Sequence, residues 1–130
     1  MSRSWTEVRP YFERAALTHV ATLMPDGAPH SVPVWAGVEG DGLSFFTEEG
    51  SRKDRNLAAD PRIAFSVTHP ENPYDMAFVR GRAVSRIEGE AALPFIDRIA
   101  MAYTGEPYAL RTGMVVYLVE PETSWSRDHS

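Results

Sequence analysis

The chain has 130 residues, a formal net charge of −5 from 13 basic and 18 acidic side chains, and 43% hydrophobic against 24% charged residues. That balance excludes wholesale disorder and a general nucleic-acid surface, because phosphate neutralisation needs clustered Lys and Arg. With no cysteine in the chain, disulfides and thiolate metal sites are excluded as well.

One domain is the simplest reading of this length, with residues 1–8 and 127–130 expected to be loosely ordered. No stretch approaches the roughly 20 apolar residues of a membrane helix. The start MSRSWTEVRP has no apolar signal core, so a cytoplasmic protein is expected.

Ser4-Trp5-Thr6-Glu7 has the form of a capping box, and Val8, Tyr11, Phe12, Ala15 and Ala16 recur at helical spacing. The pattern predicts an amphipathic helix over about residues 4–16. If Pro10 takes the first helical position, the regular helix begins nearer Arg9.

Three strands follow in quick succession: His19 to Met24, Pro29 to Val38 and Leu43 to Thr47. Their connectors, Pro25-Asp26-Gly27 and Glu39-Gly40-Asp41-Gly42, are short and turn-forming, which requires antiparallel neighbours. Alternation in the second strand puts Val32, Val34, Ala36 and Val38 on a core face and Ser31, Pro33, Trp35 and Gly37 on the other. That second face suits a flat ligand lying against the strand; an edge strand packing Trp35 into a dimer interface accounts for it equally well.

The stretch LSFFTEEGSRKDRNL, Leu43 to Leu57, is a strand feeding a helix through Glu48-Glu49-Gly50. Such a junction offers backbone N–H groups, the hydroxyls of Thr47 and Ser51, and the cations Arg52, Lys53 and Arg55, which together could hold a phosphate. Because Glu48, Glu49 and Asp54 cancel the three cations in formal charge, any anion site must come from geometry. On spacing alone, a surface turn with a solvated charged helix explains the stretch as well.

Asp60-Pro61 stops that helix, and Arg62 to His69 alternates as a fourth strand. After a loop at 70–73, Asp75 to Glu88 reads as a long fifth strand in which Gly81 marks a bulge or a close backbone approach. Residues from about Glu90 to Thr104 form a helix with Pro94 in its first turn and Gly105 as C-cap. Met114 to Glu120 is the sixth strand, with Ser124 to Arg127 as a weak extension and residues 128–130 fraying.

Six antiparallel strands, three helices and no βαβ rhythm predict a mainly β fold, a β-barrel with helices filling its gaps. The four histidines are scattered without metal-ligand spacing, and neither a GxSxG elbow nor a GxxxxGK[ST] loop is present. A phosphate cradle beside a ring-binding strand fits a flavin-like cofactor, which brings its own redox chemistry.

The order ATLMPDGAPHSVPVW, then FFTEEGSRKDRNLAADPRIAFSV, then VRGRA, resembles the split β-barrel flavin/deazaflavin oxidoreductases of the pyridoxamine 5′-phosphate oxidase-like superfamily. The branch using the deazaflavin coenzyme F420 is the most similar, and K-x-R-N-L followed by DPR is the most specific part of the match. The resemblance implies a six-stranded split β-barrel, a homodimer with two cofactor sites at the subunit interface, and hydride transfer from reduced F420 to a small conjugated or heterocyclic acceptor. FMN is the alternative cofactor, and a non-catalytic flavin or deazaflavin carrier the alternative role.

Carried over residue by residue, Lys53 and Asn56 match positions near the cofactor phosphate, and Thr47 and Glu48 match the strand-end backbone there. His30 to Trp35 match the strand lining the ring, which includes Pro33 and Val34, and Tyr74 matches an aromatic contributed by the partner subunit. Many relatives carry arginine where this chain has Ser51, so Arg52 is expected to reach the phosphate from the neighbouring position. His30 or solvent is the expected proton donor. Loops 70–75 and 105–113 are expected to shape the acceptor pocket.

Overall fold

The computed structural model describes residues 2–127. In chain order these form β1 (Ser2–Arg3), α1 (Trp5–Glu13), β2 (Thr18–Leu23), β3 (Pro29–Val34), β4 (Ala36–Glu39), β5 (Gly42–Glu48), α2 (Arg52–Ala59), β6 (Arg62–His69) and β7 (Asn72–Ile87). A 3-10 turn (Gly89–Ala92), α3 (Leu93–Thr104) and β8 (Met114–Arg127) complete them. All the paired strands are antiparallel, in the order β3-β2-β6-β7-β8-β5-β4, with β1 pairing β8 off this path.

The expected count of six strands is corrected at one residue. The run expected as a single strand from Pro29 to Val38 changes partner at Trp35: β3 pairs β2, and β4 pairs β5. These two halves lie at opposite ends of the strand order. Successive Cα atoms are only about 3.8 Å apart, so the chain through Trp35 brings the two ends of the sheet together and the sheet must roll up. Seven strands follow the path where six were expected, and the split barrel results.

Other boundaries also move. Pro10 lies inside α1 rather than at its first position, and Ser4 caps the helix by accepting the Glu7 N–H at 3.3 Å. Ser2–Arg3, expected to be loose, pair with Trp125 and Ser124. The proposed loop at 70–73 contracts, because β7 starts at Asn72, and β8 runs unbroken to Arg127. The fraying expected for residues 128–130 lies outside the described residues.

Gly81 is the close approach its sequence position announced. A Cβ there would meet the Glu120 carbonyl oxygen at 2.3 Å, and the β7–β8 register shifts between Arg80 and Gly81.

Inside the roll, Val20, Leu43, Phe45, Phe65, Val79, Val115, Tyr117 and Val119 form one core with Val8 and Phe12 of α1. Phe45 meets Phe65 edge-on at 5.9 Å and stacks on Tyr117 at 5.8 Å. The opposite face of β8 is also apolar: Met114, Val116 and Leu118 pack against Ala92 and Ile96 beneath α3. Burial on both faces is why MVVYLV reads as a continuous apolar run rather than an alternating one.

Candidate functional site

β5 ends at Glu48 and α2 begins at Arg52, so the turn between them sets what α2 presents to solvent. Ser51 is the N-cap: its Oγ accepts the Asp54 N–H at 3.3 Å and lies 3.0 Å from Thr47 Oγ1. The Ser51 carbonyl accepts the Arg55 N–H at 2.9 Å. The N–H groups of Arg52 and Lys53, at the first two helical positions, have no hydrogen-bond partner among the described residues. Two free donors at the positive end of a helix are an anion-binding arrangement.

Asp54, read from sequence as a charge cancelling its neighbours, turns inward instead. It is 5% exposed. Arg86 grips it with Nε to Oδ1 at 2.8 Å and Nη2 to Oδ2 at 2.9 Å, the Gly50 N–H donates to Oδ2 at 2.8 Å, and the Tyr117 hydroxyl donates to Oδ1. The Arg86 hydrogen bonds, aided by those from Tyr117 and Gly50, hold the Asp54 carboxyl well below the usual carboxylate range against the opposing effect of burial. Lys53 enters no ion pair among the described residues.

Beside this helix end opens a cleft of about 440 Å³. Pro33, Val34, Trp35, Thr47, Glu48, Ser51 and Lys53 line it, so seven of the expected site residues converge on one space. Leu17, Phe46, Tyr108 and Met114 complete the lining. Sequence reasoning missed these four. Phe46 was concealed in the apolar run of β5, and Tyr108 in a loop credited only with shaping a pocket.

The aromatic wall is built by contacts between elements. Trp35 stacks on Tyr103 of α3 with centroids 5.0 Å apart, and meets Phe46 and Tyr108 edge-on at 6.4 and 6.2 Å. Tyr108 is held by Asp97, which accepts its N–H at 3.1 Å and both Arg111 Nη groups at 2.8 and 3.0 Å. Those Arg111 bonds keep the Asp97 carboxyl below its ordinary range.

Four expected site residues lie outside this lining. Asn56 is buried, donating from Nδ2 to Thr22 Oγ1 at 3.0 Å, and Arg52 reaches Asn56 Oδ1 at 3.4 Å. Asn56 therefore anchors α2 to β2. His30 sits opposite Thr22 on β3, four residues or roughly 13 Å along the strand from Val34; its Nδ1 is buried without a partner among the described residues. Tyr74 is 66% exposed near the start of β7.

Over residues 4–126 the chain matches the pyridoxamine 5′-phosphate oxidase family. A pyridoxine/pyridoxamine 5′-phosphate oxidase from Alcanivorax borkumensis is 28% identical over 90 residues, covering 64% of this chain and 42% of that protein. The chain thus spans about two-fifths of the length of that relative. Among solved structures, an F420 reductase superposes with a TM-score of 0.80 at 31% identity, covering 90% of this chain and 94% of that one. A conserved hypothetical protein from Mycobacterium tuberculosis gives 0.78 at 25% identity, with 98% and 86% covered. An FAD-binding protein from Mesorhizobium loti shares the fold, at a TM-score of 0.73, 21% identity and 100% and 98% coverage. A family match along almost the whole described chain, on a sheet rolled up through Trp35, makes this protein a member of the pyridoxamine 5′-phosphate oxidase-like split β-barrel superfamily.

Proposed function

We propose that this protein is an oxidoreductase that binds coenzyme F420 in the cleft between β3, β5 and the start of α2, and uses it to reduce a small conjugated or heterocyclic acceptor. The observation that carries this reading is the meeting of two chemically different walls in one cleft. Lys53 and the cap Ser51 line the same cleft as the mutually packed rings of Trp35, Phe46 and Tyr108. A ligand with an anionic group and a flat ring satisfies both at once.

The residues present fit such a cofactor. Lys53 and the free N–H groups of Arg52 and Lys53 would hold its phosphate, while Pro33, Val34 and Trp35 would flank the ring. When bound, reduced F420 supplies a hydride. The protein orients the ring and narrows the space left for the acceptor, which Tyr108 and Met114 border. His30 lies outside the cleft lining, so the proton that completes the reduced acceptor is drawn from solvent. F420 is preferred over FMN because the F420 reductase structure combines 31% identity with near-complete coverage of both chains.

A homodimer belongs to the same proposal. Leu17 is 57% exposed on the rim of the cleft, an apolar surface that a second subunit would cover, and Tyr74 would then reach the partner's site. Catalysis is tested by mixing the protein with reduced F420 and a panel of conjugated acceptors and following the return of oxidised-cofactor absorbance. Acceptor-dependent oxidation is expected. Tight binding with no turnover on any acceptor would favour a cofactor carrier instead.

A further inference from the structure

Asp54 occupies the third position of α2, where its carboxylate would ordinarily repel an anion approaching the same helix end. The sheet removes that obstacle. Arg86, from β7, meets Asp54 with the side-on fork of its guanidinium, at 2.8 and 2.9 Å, and Tyr117, from β8, donates to the same carboxylate. The other Asp54 oxygen accepts the Gly50 N–H, so the carboxylate also fastens the turn that leads from β5 into α2. Arg86 is held in turn by Glu88 at 2.6 Å, on the exposed side. Neither Arg86 nor Asp54 lines the cleft, whereas Lys53, adjacent to Asp54 in sequence, belongs to it together with Glu48.

Resting on the cofactor reading above, we infer that Arg86 is a positioning residue for the anion cradle. Acting through Asp54, it neutralises the one carboxylate built into the first turn of α2 and locks the Gly50 turn, leaving the Lys53 end of the helix to receive a phosphate. A buried ion pair that only supported the fold would also be repaired by removing both partners, so the change in binding is read against the thermal unfolding of each variant. Removing Arg86 leaves the buried Asp54 carboxylate uncompensated behind the Lys53 end of the helix, and neutralising that carboxylate should repair much of the damage.

The test is fluorescence titration of F420 and FMN against wild type, Arg86→Met, Asp54→Asn and the double variant, with thermal unfolding of each. Arg86→Met is expected to weaken binding by about tenfold or more, and the double variant to bind within about threefold of wild type. Unchanged binding by Arg86→Met, or a double variant that binds no better than Arg86→Met, overturns the role. If Arg86→Met does not fold, Arg86→Lys keeps the charge and loses the fork. It should bind within about fivefold of wild type, and a loss of about tenfold or more would overturn the charge-compensating role. Wild type that binds neither cofactor overturns the functional reading and this role together; wild type that binds, with Arg86→Met unchanged, overturns this role alone.

Discussion

Trp35 lies stacked on Tyr103, with ring centroids 5.0 Å apart and planes 12° from parallel, at the residue where the chain passes from one end of the sheet to the other. At such a switch the backbone leaves one ladder before it has fully joined the next. The Tyr103 hydroxyl fills the gap, donating to the Ala16 carbonyl at 2.6 Å and accepting the Ala36 N–H at 3.3 Å. Burial raises the Tyr103 pKa, so the hydroxyl keeps its proton for that bond. One side chain of α3 thus secures both the sheet's change of partner and the ring that walls the cleft.

Tyr103→Phe keeps the stack and removes the hydroxyl. It should lower stability by about 1–3 kcal/mol, because part-buried backbone groups lose their partner. Urea unfolding reads this directly. A midpoint equal to that of wild type would mean that the hydroxyl does not support the switch.

The Asp54 network contributes to the acid limit of the fold. Its carboxyl is held below the usual range by Arg86, then by Tyr117 and Gly50, so the unfolded chain takes up a proton more readily than the folded one. The stability from this group is complete above the unfolded value of about 4 and is lost as pH falls through the depressed folded value. Tyr117 has the opposite sign. Burial, then the Asp54 hydrogen bond and charge, push it up to about 12, so its contribution holds below about 10 and is lost as pH rises towards the folded value. Urea midpoints against pH should show a plateau between these limits, and Asp54→Asn should flatten the acid limb. An unaltered acid limb in that variant would exclude Asp54 as its cause.

Gly81→Ala tests the close approach of β7 to β8. With the Glu120 carbonyl oxygen 2.3 Å from the added Cβ, the two strands must separate or shift. The expected loss is about 1–3 kcal/mol, comparable to overpacking a core. A Tm within a degree of wild type would show that the ladder yields freely there.

The sequence showed these features unequally, for physical reasons. The hairpin turns and the Gly105 C-cap were legible because each is a local backbone requirement met by residues within a few positions. The split of the second strand at Trp35 was not, since it depends on partners at opposite ends of the strand order. The same distinction divides the candidate site. Thr47, Glu48, Ser51 and Lys53 come together because one turn holds them, while Asn56, three residues further along the same helix, faces Thr22 instead of the cleft. Asp54 was misread because Arg86 and Tyr117 reach it across 32 and 63 residues of chain.

The proposed function rests on this cleft holding the phosphate of a flavin-type cofactor at Lys53. Its most direct test is an equilibrium titration of F420 and FMN against wild type and Lys53→Ala, followed by cofactor fluorescence. Saturable F420 binding is predicted, weakened in the variant by about 1.5–3 kcal/mol, the worth of one charge-assisted hydrogen bond. Wild-type protein that binds neither cofactor, or a Lys53→Ala variant that binds as tightly as wild type, would contradict it.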